Sequence, residues 1–288
     1  MSIHPEGVLS LKRVTSLSAW LVVSGMLLLS GNGIAQVVAM TDGGATATID
    51  LGSSAGMNSW SVLGQNQLNQ QWFWYQTDGG IAQPINTISA PTVQTYMGNN
   101  GINEVIATYQ NSQLSIEIDY ILSGGGVGSG NADITESIMA VNKNTSSSLT
   151  LNLFEYSNFN LLQSGNNSIT IFGNPVTGYN FVQQTSGSTA IQEGIVSPNA
   201  NYAEAANLNQ TLNELNNQAG LVLNDTTSAG PGNVTWAFQW NQTIDAGGQL
   251  DIFKDKNLSI SMVPEPPTVA IIALGAGALG LALRRKLS

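Results

Sequence analysis

Residues 113–122 read QLSIEIDYIL, and every second side chain is apolar. Leu114, Ile116, Ile118, Tyr120 and Leu122 share one face, while Ser115, Glu117 and Asp119 share the other. Side chains alternate across a strand, so this pattern describes a half-buried antiparallel strand and is incompatible with an amphipathic helix. The stretch pairs naturally with residues 102–109 across Gln110-Asn111-Ser112. The same period of two recurs at Leu149, Leu151 and Leu153, and at Val234, Trp236, Phe238 and Trp240. Shorter candidates cover residues 45–51, 68–76, 134–141, 169–172, 179–183, 191–196 and 249–253. Turn-forming clusters such as Asp78-Gly79-Gly80, the glycine-rich loop 124–130 and Gly247-Gly248 separate them. One segment departs from this rhythm: in residues 201–220, Ala205, Leu208, Leu212 and Leu215 follow helical spacing. Asn201 with Glu204 resembles a capping box and Gly220 a C-terminal stop, which predicts one short helix. Many short strands without intervening helices predict an all-β fold, an antiparallel β-sandwich or jelly-roll-like domain carrying that helix.

Both ends of the 288-residue chain are apolar in other ways. Lys12 and Arg13 precede an apolar run ending near Ser30, and small residues follow at Gly33 and Ala35. This is the layout of a secretory signal peptide over residues 1–35, with cleavage expected between Ala35 and Gln36. It implies handling by the secretion translocon and signal peptidase; an uncleaved signal anchor is the alternative. At the other end, residues 268–283 are uncharged, and Arg284, Arg285 and Lys286 follow. Sixteen residues of helix span about 24 Å, a short transmembrane helix against a ~30 Å hydrocarbon core. The three cations act as a stop-transfer signal and favour the cytoplasmic side. Pro264, Pro266 and Pro267 keep the helix from extending outward. The chain therefore divides into residues 1–35, an ectodomain at 36–262, and a tail at 263–288.

The ectodomain holds sixteen acidic residues against three bases, Lys143, Lys254 and Lys256, and no Arg, His or Cys. Nucleic-acid binding requires a cationic face and is excluded as an expectation. Without histidine or cysteine there is no Ser-His-Asp or Cys-His machinery, and no usual zinc site. An exported chain without cysteine must be stabilised by its core. Carboxylates are the strong acid–base groups that remain.

The tail resembles a known class. Val263, Pro264, Glu265 and Pro266, followed by an apolar run and a basic terminus, are similar to the PEP-CTERM sorting signal of Gram-negative bacteria. That resemblance implies exosortase as partner, transient anchoring in the inner membrane, processing near the Pro-Glu-Pro motif, and delivery to the cell surface or an exopolysaccharide matrix. Pro267 stands where Ser or Thr is commoner in the class. A plain C-terminal anchor is the alternative. The stretches QLNQQWFWYQ, LFEYSNFNL and WAFQWNQTIDAGGQLDIFKDKNL resemble uncharacterised exported proteins with the same tail, in which Arg often stands at the position of Gln76.

The ectodomain sequence offers residues for three chemistries. In QWFWYQ (residues 71–76), Trp72 and Trp74 share one face; if exposed they would form a platform for sugar rings, and otherwise they belong to the core. Glu117 and Asp119, with Glu104 on the partner strand, have a spacing that glycosidase carboxylates can adopt, and that any solvated strand face also produces. Asp42, Asp50, Asn131 and Asp133 are loop oxygens of the kind calcium takes, although no Asp-x-Asp-x-Asp loop is present. The balance favours a non-enzymatic, structural surface or matrix protein with no catalytic residues, metal or cofactor, and a carbohydrate-binding module as the alternative.

Overall fold

The computed structural model describes residues 36–260. They form two nine-stranded sheets that enclose one apolar core. The first sheet runs β1 (Val37–Asp42), β2 (Ala45–Asp50), β3 (Gly56–Val62), β5 (Leu68–Gln76), β11 (Leu149–Phe159), β17 (Val234–Ile244) and β15 (Tyr202–Asn207). Two-residue strands β4 (Gln65–Asn66) and β6 (Gln83–Pro84) attach to β3 and β5. The second sheet runs β16 (Ser228–Gly232), β12 (Asn167–Asn174), β13 (Gly178–Ser186), β14 (Thr189–Ser197), β18 (Gln249–Ser259), β10 (Asn131–Asn142), β9 (Leu114–Gly124), β8 (Ile102–Gln110) and β7 (Thr92–Met97). The pairings are antiparallel, apart from a brief contact of β3 with Gln71 of β5.

The alternating stretches behave as expected. Leu114, Ile116, Ile118, Tyr120 and Leu122 of β9 are buried, and β8 pairs with β9 by a tight turn. The central strands of the first sheet differ: β5 is buried on both faces from Gln71 to Trp74, and β17 from Val234 to Trp240. One glycine of the 124–130 loop shows why that loop is glycine-rich. A Cβ on Gly124 would overlap the backbone carbonyl of Asp42, so only glycine lets this loop dock on the β1–β2 turn. There the Gly124 amide donates to the Asp42 carboxylate at 2.8 Å.

The helix differs from the expectation in its first half. Residues 202–207 form β15, paired with β17, and α1 covers only Gln210–Asn217, with Asn209 as its N-cap and Gln218 as its C-cap. Ala203, Glu204, Ala205 and Ala206 are all buried, so no two-residue alternation marks the strand. Glu204 is no capping-box residue; its Oε1 accepts the Thr211 hydroxyl at 2.6 Å.

Ala35, the signal segment 1–35, the Val263, Pro264, Glu265 and Pro266 peptide, the apolar run 268–283, and Arg284, Arg285 and Lys286 lie outside the described residues. Among the described residues no helix is long and apolar enough to cross a membrane. Gln36 begins the described chain, its carbonyl accepting the Leu51 amide at 3.0 Å.

Candidate functional site

The chemically densest place in the molecule is inside it. Strand alternation puts Lys254 and Lys256 of β18 on the inward face, in line with Ile252 and Leu258. The flanking strands do the same with glutamates: Glu136 lies between inward Ile134 and Ile138 of β10, and Glu193 between inward Ile191 and Ile195 of β14. Register sets Glu136 directly across from Lys254, and Glu193 directly across from Lys256. A third carboxylate, Glu155, comes from β11 of the opposite sheet. The five side chains thus join the two sheets at the middle of the core.

The contacts are close. Lys254 Nζ donates to Glu136 Oε2, to Glu155 Oε1 at 2.6 Å, and lies 3.3 Å from Glu193 Oε1. Lys256 Nζ donates to Glu136 Oε1 at 2.6 Å, and lies 2.8 Å from Glu155 Oε1 and 3.7 Å from Glu193 Oε2. The walls complete the set: Gln71 Nε2 donates to Glu155 Oε1 at 3.3 Å, and Trp236 Nε1 to Glu193 Oε2 at 3.4 Å. The Phe73 ring centroid lies 5.1 Å from Lys254 Nζ. All five charged side chains are withdrawn from solvent, with at most 2% of any one exposed.

Charges this deep survive only if paired, because desolvation of each ion is costly. The three carboxylates do not share the two cations equally. Burial pushes Glu155 up, but the Lys254 and Lys256 ammonium groups outweigh it and hold Glu155 well below the usual carboxylate range. Burial and then the neighbouring Glu155 charge push Glu193 up to about 8, against the two lysines. Burial pulls Lys256 down, yet Glu136, Glu155 and Glu193 together hold it well above its ordinary value. At neutral pH Lys256 is therefore the ammonium, Glu155 the carboxylate and Glu193 the carboxylic acid.

The residues singled out by sequence fall elsewhere. Trp72 and Trp74 are both fully buried, so the sugar platform is corrected: an indole with no exposed face has nothing to stack on. Trp72 donates its ring N–H to Asn86 and packs edge-on against Tyr109, while Trp74 donates to Asn216 of α1 and packs edge-on against Tyr156. Glu104, Glu117 and Asp119 do lie together on the outer face of the second sheet. Burial, then Glu104 and Glu117, raise Asp119 to about 6, and the Thr108 hydroxyl donates to Glu117 at 2.9 Å. The proposed calcium ligands serve turns: Asp42 accepts from Gly124, Asp50 from the Gly52 amide and the Ser53 hydroxyl, and Asn131 donates to the Ser129 carbonyl. Asp133 sits across from Asn257 on the outer face, raised to about 6 by burial and by Asp255. Among the described residues no cluster of His, Cys, Asp or Glu has the geometry to hold a metal ion.

The surface of the described residues includes two open recesses. One of about 400 Å³ is lined by Tyr75, Gln76, Thr77, Asp78, Ile81 and Gln83, and one of about 210 Å³ by residues around Asp245. Sequence reading missed the buried ions although a signal was present. ITESI, IQEGI and IFKDKNL each place a charge where the apolar register demands a core residue.

Comparison with known proteins adds three results. Residues 263–286 match the PEP-CTERM protein-sorting motif. No curated protein matches the chain by sequence. Among solved structures it is similar to a bacterial glucoamylase complexed with acarbose, at 11% identity and a TM-score of 0.53, over 87% of this chain and 37% of that one. It also aligns with a putative kojibiose phosphorylase from the human microbiome, at 10% identity and a TM-score of 0.40, over 83% of this chain and 32% of that one. The chain spans about a third of the length of these structures, and the glucoamylase likeness is one of fold.

Proposed function

Taking residues 263–286 as the PEP-CTERM protein-sorting motif that they match, we propose that this chain is an exported protein processed by exosortase, whose two-sheet domain is a non-enzymatic structural component of the cell surface or extracellular matrix. The motif is the observation that carries the reading. The domain's own features support the structural part. Five of its tryptophans, Trp60, Trp72, Trp74, Trp236 and Trp240, are spent on the core, and the side chains of Glu136, Glu155, Glu193, Lys254 and Lys256 are withdrawn from solvent. In this reading residues 1–35 are removed by signal peptidase, the tail holds the protein in the inner membrane, and Arg284, Arg285 and Lys286 keep its end cytoplasmic. The sheet remains hydrogen-bonded to Ile260, whose amide donates to the Gly130 carbonyl at 2.7 Å. Ser261 and Met262 alone lie between Ile260 and Val263, a reach of at most about 11 Å for any chain, which sets exosortase to work close against the domain.

The test is the intact mass of the native protein from cells with and without exosortase. Loss of residues 1–35 in both strains, and of the tail only where exosortase is present, is the expected result. A tail retained in both strains overturns the processing.

A second reading, a carbohydrate-binding module for exopolysaccharide, is favoured by the recess at Tyr75. One half-buried aromatic ring beside the amides of Gln76 and Gln83 and the Asp78 carboxylate is chemistry suited to a sugar ring and its hydroxyls. In titration with matrix polysaccharide, Tyr75→Ala should then bind more weakly than the wild-type protein. Equal retention by both proteins on a polysaccharide column removes this reading.

A further inference from the structure

We propose that Lys254 and Glu136 condense into an intramolecular amide, a covalent bond between β18 and β10 formed by the core cluster itself. Lys254 Nζ donates directly to a Glu136 carboxylate oxygen, in a site closed to solvent. The other three members of the cluster stand where such a reaction needs them. One proton passes from Lys254 Nζ to Glu136 along their direct hydrogen bond, which frees the nitrogen lone pair and leaves Glu136 as the carboxylic acid, and Glu155 Oε1, 2.6 Å from Nζ, relays the second proton. The nitrogen attacks Glu136 Cδ. Lys256, bonded to Glu136 Oε1 at 2.6 Å and held in its charged form by three carboxylates, stabilises the oxyanion that develops there. Glu193 Oε1 faces the same Lys254 nitrogen at 3.3 Å and, holding its own proton, adds no competing charge there.

The step balances without a co-reactant. A C–N bond forms and a C–O bond breaks. The Lys254 nitrogen gives up two protons, one directly to Glu136 and one through Glu155, both end on the departing oxygen, and one water leaves. What remains is the Lys256 ammonium, the Glu155 carboxylate and the Glu193 carboxylic acid, balanced in charge.

Two physical terms favour the reaction. Holding nucleophile and carboxyl in contact converts a slow bimolecular condensation into an intramolecular one. Replacing a buried ion pair by an amide also removes the desolvation penalty of two charges. The consequence suits an exported chain with no cysteine, because a link between residues 118 apart closes a long loop, as a disulfide would.

The experiment is mass spectrometry of the folded full-length protein, with its termini established. The expected mass is that of the sequence between those termini less one water, and digestion should yield one branched peptide joining the segments that contain Glu136 and Lys254. Lys254→Arg, which keeps a cation but has no primary amine, should show the full mass. Mapping is required because an N-terminal Gln36 can cyclise with loss of ammonia, a different mass at a different place. Wild-type protein at full mass, with Lys254 acylated as a free amine in denaturant, overturns the proposal whatever the variant does. A water loss mapping to any other residue overturns it as well.

Discussion

The two sheets share one core but have different second faces. In the first sheet the face carrying Trp72, Trp74, Phe154 and Tyr156 is covered, with α1 and the segment containing Leu221 and Leu223 lying near it. In the second sheet the outer face stays open and carries Glu104, Glu117, Asp119, Asp133, Asp251 and Asp255. The contrast explains the composition of each. A strand covered on both sides reads as a continuous apolar run, as in QWFWYQ and VTWAFQW, whereas a strand open on one side alternates. It also places the cost of substitution. Changes in the central strands of the first sheet meet packing on either face, and changes in the second are costly mainly at alternate positions.

The sharpest way to break this contrast is at the ions where the sheets meet. Lys256→Met leaves the glutamates one cation short in a dry site and should destabilise the fold by about 3–5 kcal/mol in urea titration. Trp74→Ala, on the covered face of the first sheet, should cost about 3–5 kcal/mol by the same measurement, through lost packing against Tyr156 and an orphaned Asn216.

The pH dependence separates the interior from the open face. Glu193 keeps its proton to about 8 in the folded chain, but only to about 4.5 when unfolded. The stability it contributes is complete below the lower value and is lost as pH rises through the higher one. Glu155 acts in the opposite sense, its contribution being lost as pH falls below its ordinary value. The thermal midpoint should therefore peak near pH 4–5 and decline toward pH 9, and Glu193→Gln should flatten the decline by up to about 1.4 kcal/mol per pH unit. Asp119, raised to about 6, loses its contribution as pH rises through that value. Asp119→Asn should thus stabilise the protein above pH 6, but by no more than about 0.5 kcal/mol, because solvent screens that face. Smallest of all, Phe253→Ser, on the open side of β18, should leave the urea midpoint within about 0.5 kcal/mol of wild type.

The same contrast decides what could be read from sequence. Strands β8, β9 and β10 were legible because water on one side enforces a period of two. The segment 202–207 was not, because burial of Ala203 through Ala206 erased the alternation, and the stripe from Ala205 to Leu215 then read as one helix. Pairing with β17 overrode that local preference. Trp72 and Trp74 were ambiguous for a related reason: a local pattern shows which side chains share a face and says nothing of what lies over it. The lysines were counted as charge, yet the residues on either side of them, Ile252 and Leu258, already placed them inside.

The position of β18 has one more implication, for the order of events as the chain emerges. It is the last strand in sequence, yet it lies in the middle of its sheet, between β14 and β10. Until residues 249–259 have been released, the β16–β12–β13–β14 half and the β10–β9–β8–β7 half have no shared hydrogen bonds, and Glu136, Glu155 and Glu193 have no counter-ions. A vectorially exported chain of this design stays divided almost to its end, and contacts at such long sequence separation form slowly. Docking of β18 and emergence of residues 263–286 thereby fall close together in time, so that the sheet closes only as the sorting motif follows it.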